Sequence, residues 1–109
     1  MNSDQNSYDD ALKEYEEALA IRRKLAEANP DTYLPDVAMT LVNLSIYFRH
    51  AVAQREQSLE YVVEAVIILR PIVDRVPFTQ RYLKNAMLVF ENWELSNEEI
   101  EQMIMEKQR

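Results

Sequence analysis

The stretch Ala11-Leu12-Lys13-Glu14-Tyr15-Glu16-Glu17-Ala18-Leu19-Ala20-Ile21-Arg22-Arg23-Lys24-Leu25-Ala26-Glu27-Ala28-Asn29-Pro30 is written a second time, 47 residues on. The second copy is Ser58-Leu59-Glu60-Tyr61-Val62-Val63-Glu64-Ala65-Val66-Ile67-Ile68-Leu69-Arg70-Pro71-Ile72-Val73-Asp74-Arg75-Val76-Pro77. Leu12 returns as Leu59, Glu17-Ala18 as Glu64-Ala65, Ile21 as Ile68, Arg23 as Arg70 and Pro30 as Pro77. Softer matches join them: Ala11 with Ser58, Leu19 with Val66, Leu25 with Ile72, Glu27 with Asp74. A period of this size signals one supersecondary unit that cannot bury its apolar face alone and is stacked on its copy.

Apolar residues in the first copy recur at Ala11/Leu12, Tyr15, Ala18/Leu19 and Leu25/Ala26, the spacing of a helix stripe. The first helix is therefore expected over 8–28. Ser7 is its candidate N-cap, and Asp9 and Asp10 face the positive end of its dipole. Asn29-Pro30-Asp31 is expected to stop it, and Leu34-Pro35 to force an extended residue before a restart. A second helix follows over 35–49, with Val37, Ala38, Leu41, Leu44, Ser45 and Phe48 on its buried face. Residues 50–57 are read as a turn, although they hold no good turn former.

A third helix spans 58–76. Between Tyr61 and Leu69 only Glu64 is polar, so this helix is buried on several sides. Pro71 lacks an N–H and crowds the carbonyl of Ile67, so the helix kinks or ends there. A fourth helix covers 79–93, with Leu83, Met87, Phe90 and Trp93 along one face. The fifth, 97–107, opens on Ser96 and Glu99, a capping box, with Leu95 stapled to Ile100. Its apolar edge is Ile100, Met103 and Ile104, its other side acidic, as suits the cap of a stack.

Composition narrows the chemistry. The 109 residues make one small domain without a single Gly or Cys. Without Gly, phosphate loops and tight hairpins lose their usual hinge. Without Cys, disulfides, thiolate zinc sites and cysteine nucleophiles are excluded, and a cytoplasmic setting is expected. Net charge is −7. Its distribution is uneven: nine acids and four bases in 1–36, four acids and six bases in 37–90, six acids and two bases in 91–109. Nucleic acid is not an expected partner, because phosphate binding needs a concentrated basic face. No stretch is long and apolar enough to span a membrane, and no secretory signal is visible at Met1-Asn2-Ser3-Asp4.

Reactive constellations are missing from the sequence. His50 is the only histidine and has no companion for metal or base chemistry. Glu16-Glu17 and Glu98-Glu99 are adjacent on helices, so each pair diverges and neither forms a dyad by spacing. Asn43-Leu44-Ser45 matches the N-glycosylation pattern but lies inside a helix. No enzyme activity and no cofactor are expected.

The chain resembles the tetratricopeptide repeat, in its long variant of 42–47 residues per unit. That family alternates helices A and B. Tyr8-Asp9-Asp10-Ala11-Leu12-Lys13-Glu14-Tyr15-Glu16-Glu17-Ala18-Leu19 is similar to a helix B, with Ala11 and Ala18 permitting close approach. Val37-Ala38-Met39-Thr40-Leu41-Val42-Asn43-Leu44-Ser45 resembles a helix A, with small Ser45 at the tight crossing. The order is then B1, A2, B2, A3 and a terminal helix. The A2–B2 turn lacks the family's Gly or Asn near Ala53, Pro71 replaces Lys24, and the fourth helix fits only after a one-residue shift. The resemblance implies an all-α fold, a right-handed stack of antiparallel helical hairpins with about five helices.

It further implies a non-catalytic scaffold for protein–protein interaction. A peptide segment or neighbouring domain would lie in a groove lined by the A helices. Asn43 stands where carboxylate-clamping members place an Asn, one residue before the helix A Leu. Its amide can donate to and accept from a peptide backbone. Met39, Val42, Ile46 and Arg49 share its side at helical spacing, and Arg81 and Lys84 add positive charge on the fourth helix. Asn85 offers a second amide only under a 46-residue register. The basic middle between acidic ends favours an acidic or C-terminal peptide. The alternative is a structural oligomerisation element. Asp36 to Arg70 contains neither Gly nor Pro, so the second and third helices could fuse into one rod and exchange halves in a swapped homodimer.

Overall fold

The computed structural model describes residues 3–50 and 54–109, with side chains from Asp9 onward. The chain is all-α. Its elements are α1 (Ser3–Ala28), α2 (Pro30–His50), α3 (Arg55–Leu69), a 3-10 turn at Pro77–Thr79, α4 (Gln80–Asn92) and α5 (Asn97–Lys107). Helix α1 begins before the expected Ser7 cap, which lies within it.

The main departure is at the start of α2. Asn29 alone separates it from α1. Its N–H bonds Leu25 O at 2.9 Å, closing α1, and its carbonyl accepts from Tyr33 N at 3.1 Å, opening α2. The Asn29 side chain also accepts from Thr32 N at 3.4 Å. Pro30 thus takes the first helical position, where a missing N–H costs nothing. The helix then runs through Pro35 instead of restarting there. Pro35 forfeits one bond to Asp31 O, but its ring is buried, and Tyr33 and Leu34 just before it pack on the core. Burial of that turn outweighs the local preference of the residue before a proline.

Helices α2 and α3 are separate. Gln54 caps α3 in extended backbone, and its N–H reaches back to Phe48 O at 2.8 Å. The Phe48 and Tyr61 rings stack across the resulting hairpin, 5.7 Å between centroids. The point around Ala53 where the two helices would fuse lies outside the described residues. Helix α3 ends at Leu69, two residues before Pro71, and helical turns carry the chain on to Val76.

Helix α4 turns most of the expected face inward, with Leu83 and Trp93 packed half-buried on the core. Ala86, Val89 and Phe90 are buried, whereas Met87 is 36% exposed. It ends in a Schellman motif: Leu95 N bonds Phe90 O at 3.2 Å and Glu94 N bonds Glu91 O at 2.9 Å. Glu94 takes the left-handed position, φ 60°, that glycine would fill in a chain that had one. The capping box of α5 is present in full. Ser96 Oγ accepts from Glu99 N at 3.2 Å, and Ser96 N donates to Glu99 Oε1 at 2.9 Å.

The core runs through the middle of the stack. Leu41, Leu44, Val62, Val66, Leu69 and Phe90 are fully buried. Helix α1 packs on α2, α2 on α3 and α3 on α4, and α2 also meets α4 as α3 meets α5. Contact with the next-but-one helix is what stacked hairpins require. The repeat reappears as chemistry. Arg23 on α1 pairs with Glu64 on α3 at 2.8 Å, and its copy Arg70 pairs with Glu101 on α5, one nitrogen–oxygen distance being 3.0 Å. Helix α5 thus meets α3 through the same kind of bond that joins α3 to α1.

Candidate functional site

Helix α2 is almost surrounded, and its polar positions show where it is not. Asn43 is exposed, with half-buried Met39 and Ile46 one turn to either side. Asp36 and His50 extend the same line, the former half-buried and the latter exposed. The spacing 36, 39, 43, 46, 50 is one helical stripe, open along an otherwise packed rod. It brings together three of the expected groove residues, Met39, Asn43 and Ile46.

The other expected residues divide. Val42 is 2% exposed and belongs to the core, so it lines no accessible surface. Its position one residue before Asn43 turns it about 100° away, into the packing against neighbouring helices. Arg49 is half-buried, its guanidinium 5.1 Å from the centre of the Trp93 ring. Its Nε is buried without a hydrogen-bond partner. That contact ties the end of α2 to the end of α4 and commits Arg49 to the fold. Arg81 and Lys84 are exposed on α4, and Asn85 is half-buried.

Lys84 rims a groove that the sequence did not reveal. Val73, Gln80, Leu83, Lys84, Met87, Leu88 and Glu91 enclose about 430 Å³ along the outer side of α4. Leu88 is 46% exposed and Phe78, at the head of the helix, 60%. Of the face expected to pack, Met87 is exposed here, while Leu83 is half-buried and packs on the core.

A second cleft of similar size lies between α1, α3 and α5. Glu16, Leu19, Arg23, Glu60, Tyr61, Glu64 and Lys107 face it. Its charges are cross-paired: Arg23 with Glu64, and Lys107 with Glu60 at 3.9 Å. Burial first, and then Glu16 and Glu60, push the Tyr61 hydroxyl above its usual range, so it stays protonated and neutral.

A buried relay links three helices behind the α2 stripe. Trp93 Nε1 donates to Ser58 Oγ at 2.9 Å, Ser58 Oγ donates to Ser45 O at 2.7 Å, and Ser45 Oγ donates to Val42 O at 2.7 Å. Ser45 and Ser58 are wholly buried, so the tight crossing expected at Ser45 is also a polar bond. Among the described residues, no group of three or more His, Asp or Glu side chains could hold a metal ion, and no helix is long and apolar enough to cross a membrane. No protein-family model matches the chain, and neither does any curated protein or solved structure.

Proposed function

We propose that this chain is a non-catalytic interaction scaffold of the tetratricopeptide kind, acting in the cytoplasm, which holds an extended peptide segment across α2 and α4. The observation that carries the reading is the open stripe of α2. An exposed amide, Asn43, sits between half-buried Met39 and Ile46 on a helix that is otherwise buried or half-buried from Tyr33 to Arg49. A peptide backbone has alternating donors and acceptors, and one carboxamide satisfies both, while the flanking apolar side chains take its residues on either side. Arg81 and Lys84 on the neighbouring helix favour an acidic segment or a free C-terminal carboxylate. The resemblance to the repeat family supplies the expectation of a groove on this side.

Calorimetric titration with acidic C-terminal peptides tests the reading. Binding is expected to weaken about tenfold in Asn43→Ala, the loss of one well-placed hydrogen-bonding pair, and to fall with added salt. Peptide affinity that is indifferent to Asn43→Ala and Lys84→Ala together would remove the groove. Arg49→Ala is a poor probe, because it strips the cover from Trp93.

A further inference from the structure

We infer that α1 of one copy of this chain docks on the outer face of α4 of a second copy, with the two helices parallel, so that copies associate head to tail. Each helix carries an exposed stripe on which charges flank an apolar residue. On α1 it is Glu14, Glu17, Ile21 and Lys24, and on α4 it is Arg81, Lys84, Leu88 and Glu91. Both stripes advance by three, four and three residues, the spacing of a continuous helix face. Set side by side in the same direction, Glu14 meets Arg81, Glu17 meets Lys84, Ile21 meets Leu88 and Lys24 meets Glu91. Every charge meets its opposite, and the two apolar residues meet each other. Run antiparallel, Glu14 would oppose Glu91 and Lys24 would oppose Arg81, so the charge order selects the parallel docking.

The apolar step is large enough to matter. Ile21 is 61% exposed and its neighbour Leu25 40%, against Leu88 at 46% and Met87 at 36% on α4. None of the six charges makes an ion pair with another described residue. The two faces belong to different ends of the order of packing, α1 on α2 and α4 on α2 and α3. One copy therefore uses α1 and α4 toward different neighbours. Such a heterologous contact repeats until a ring closes or a chain grows. Two single helix faces bury little area, so the association is weak and salt-sensitive. The inference goes beyond the peptide reading but shares Arg81 and Lys84 with it. Asn43→Ala separates the two, since it leaves the docking faces untouched.

Sedimentation velocity of the 109-residue chain from about 10 μM to about 1 mM, at low salt, is the test. Mass is expected to grow past the dimer and to shrink when salt is raised. Ile21→Asp and Leu88→Asp are each expected to stay monomeric. Mixed in equal amounts they are expected to form a heterodimer and no more, because each keeps one sound face. Glu17→Lys weakens association about tenfold, and adding Lys84→Glu in the same chain restores it. Circular dichroism checks folding; were either Asp variant unfolded, the charge pair carries the same logic alone. The inference is overturned by a wild type that stays monomeric throughout, by association indifferent to these changes, or by a discrete dimer that mixing the Asp variants fails to recover. A wild-type monomer that instead binds a foreign acidic peptide through Lys84 leaves the peptide reading standing and ends this one.

Discussion

At the scale of single residues, Ser58 does more than its place in the sequence announced. Read as the start of the third helix, it lies one turn inside α3 and joins Trp93 to the Ser45 carbonyl. Replacing it by Ala strips the part-buried indole N–H of its acceptor and the buried Ser45 carbonyl of a donor, a loss of about 2 kcal/mol. Urea melts of Ser58→Ala would show it, and adding Trp93→Phe would recover part of the loss because the orphaned donor is gone too; equal midpoints for wild type and Ser58→Ala would refute the relay. Glu94 carries the opposite sign. Its φ of 60° costs a residue with a Cβ about 1 kcal/mol, so Glu94→Gly is expected to raise Tm by roughly 4 °C. Ser45 was legible because smallness at a crossing is a local property. The bond from Trp93 was not, because nothing local marks two positions 35 apart as neighbours.

At the scale of the element, α5 shows what local rules can and cannot deliver. Ser96 and Glu99 stand three residues apart, and the capping box they form was readable. So was Pro71 as the end of α3. Pro35 misled, because its penalty is local while the burial that overrides it is tertiary. The helices that α4 meets likewise bury Ala86 and Val89 beside the expected Phe90 and leave Met87 at the edge. Two carboxylates on α5 sit below their ordinary range: Glu99, held first by the backbone N–H of Ser96, and Glu101, held first by hydrogen bonding from Arg70. A depressed folded pKa means stabilisation that is complete above the unfolded pKa and lost as pH falls through the folded one. The signal of α5 in a pH titration is therefore expected to weaken below about pH 4. Glu99→Gln and Glu101→Gln would flatten that dependence, and an acid transition unchanged by both would assign it elsewhere. Ser96→Ala is expected to cost about 1 kcal/mol at neutral pH.

For the whole molecule, the 47-residue echo matters because it is reproduced in bonds: Arg23 to the next copy, and Arg70 to the helix that closes the stack. In an assembly built by neighbour contacts, local stability follows how many sides each helix covers. Helices α2 and α3 are covered on several sides, with Leu41, Leu44, Val62, Val66 and Leu69 inaccessible to water. Helix α1 is long but, among its described side chains, buries only Leu19 and Ala26 as apolar residues to that degree. Length alone does not hold a helix whose apolar face is thin. Native-state hydrogen exchange is therefore expected to rank amides 41–48 and 59–69 slowest, with α1 opening at a lower free energy than the whole. Ile21 and Leu25 stand open on that same weak element. If copies dock through α1, its exchange slows as concentration rises while α2 and α3 are unchanged. A uniform slowing, or none, would separate the stack's own cooperativity from any help that α1 receives from a neighbour.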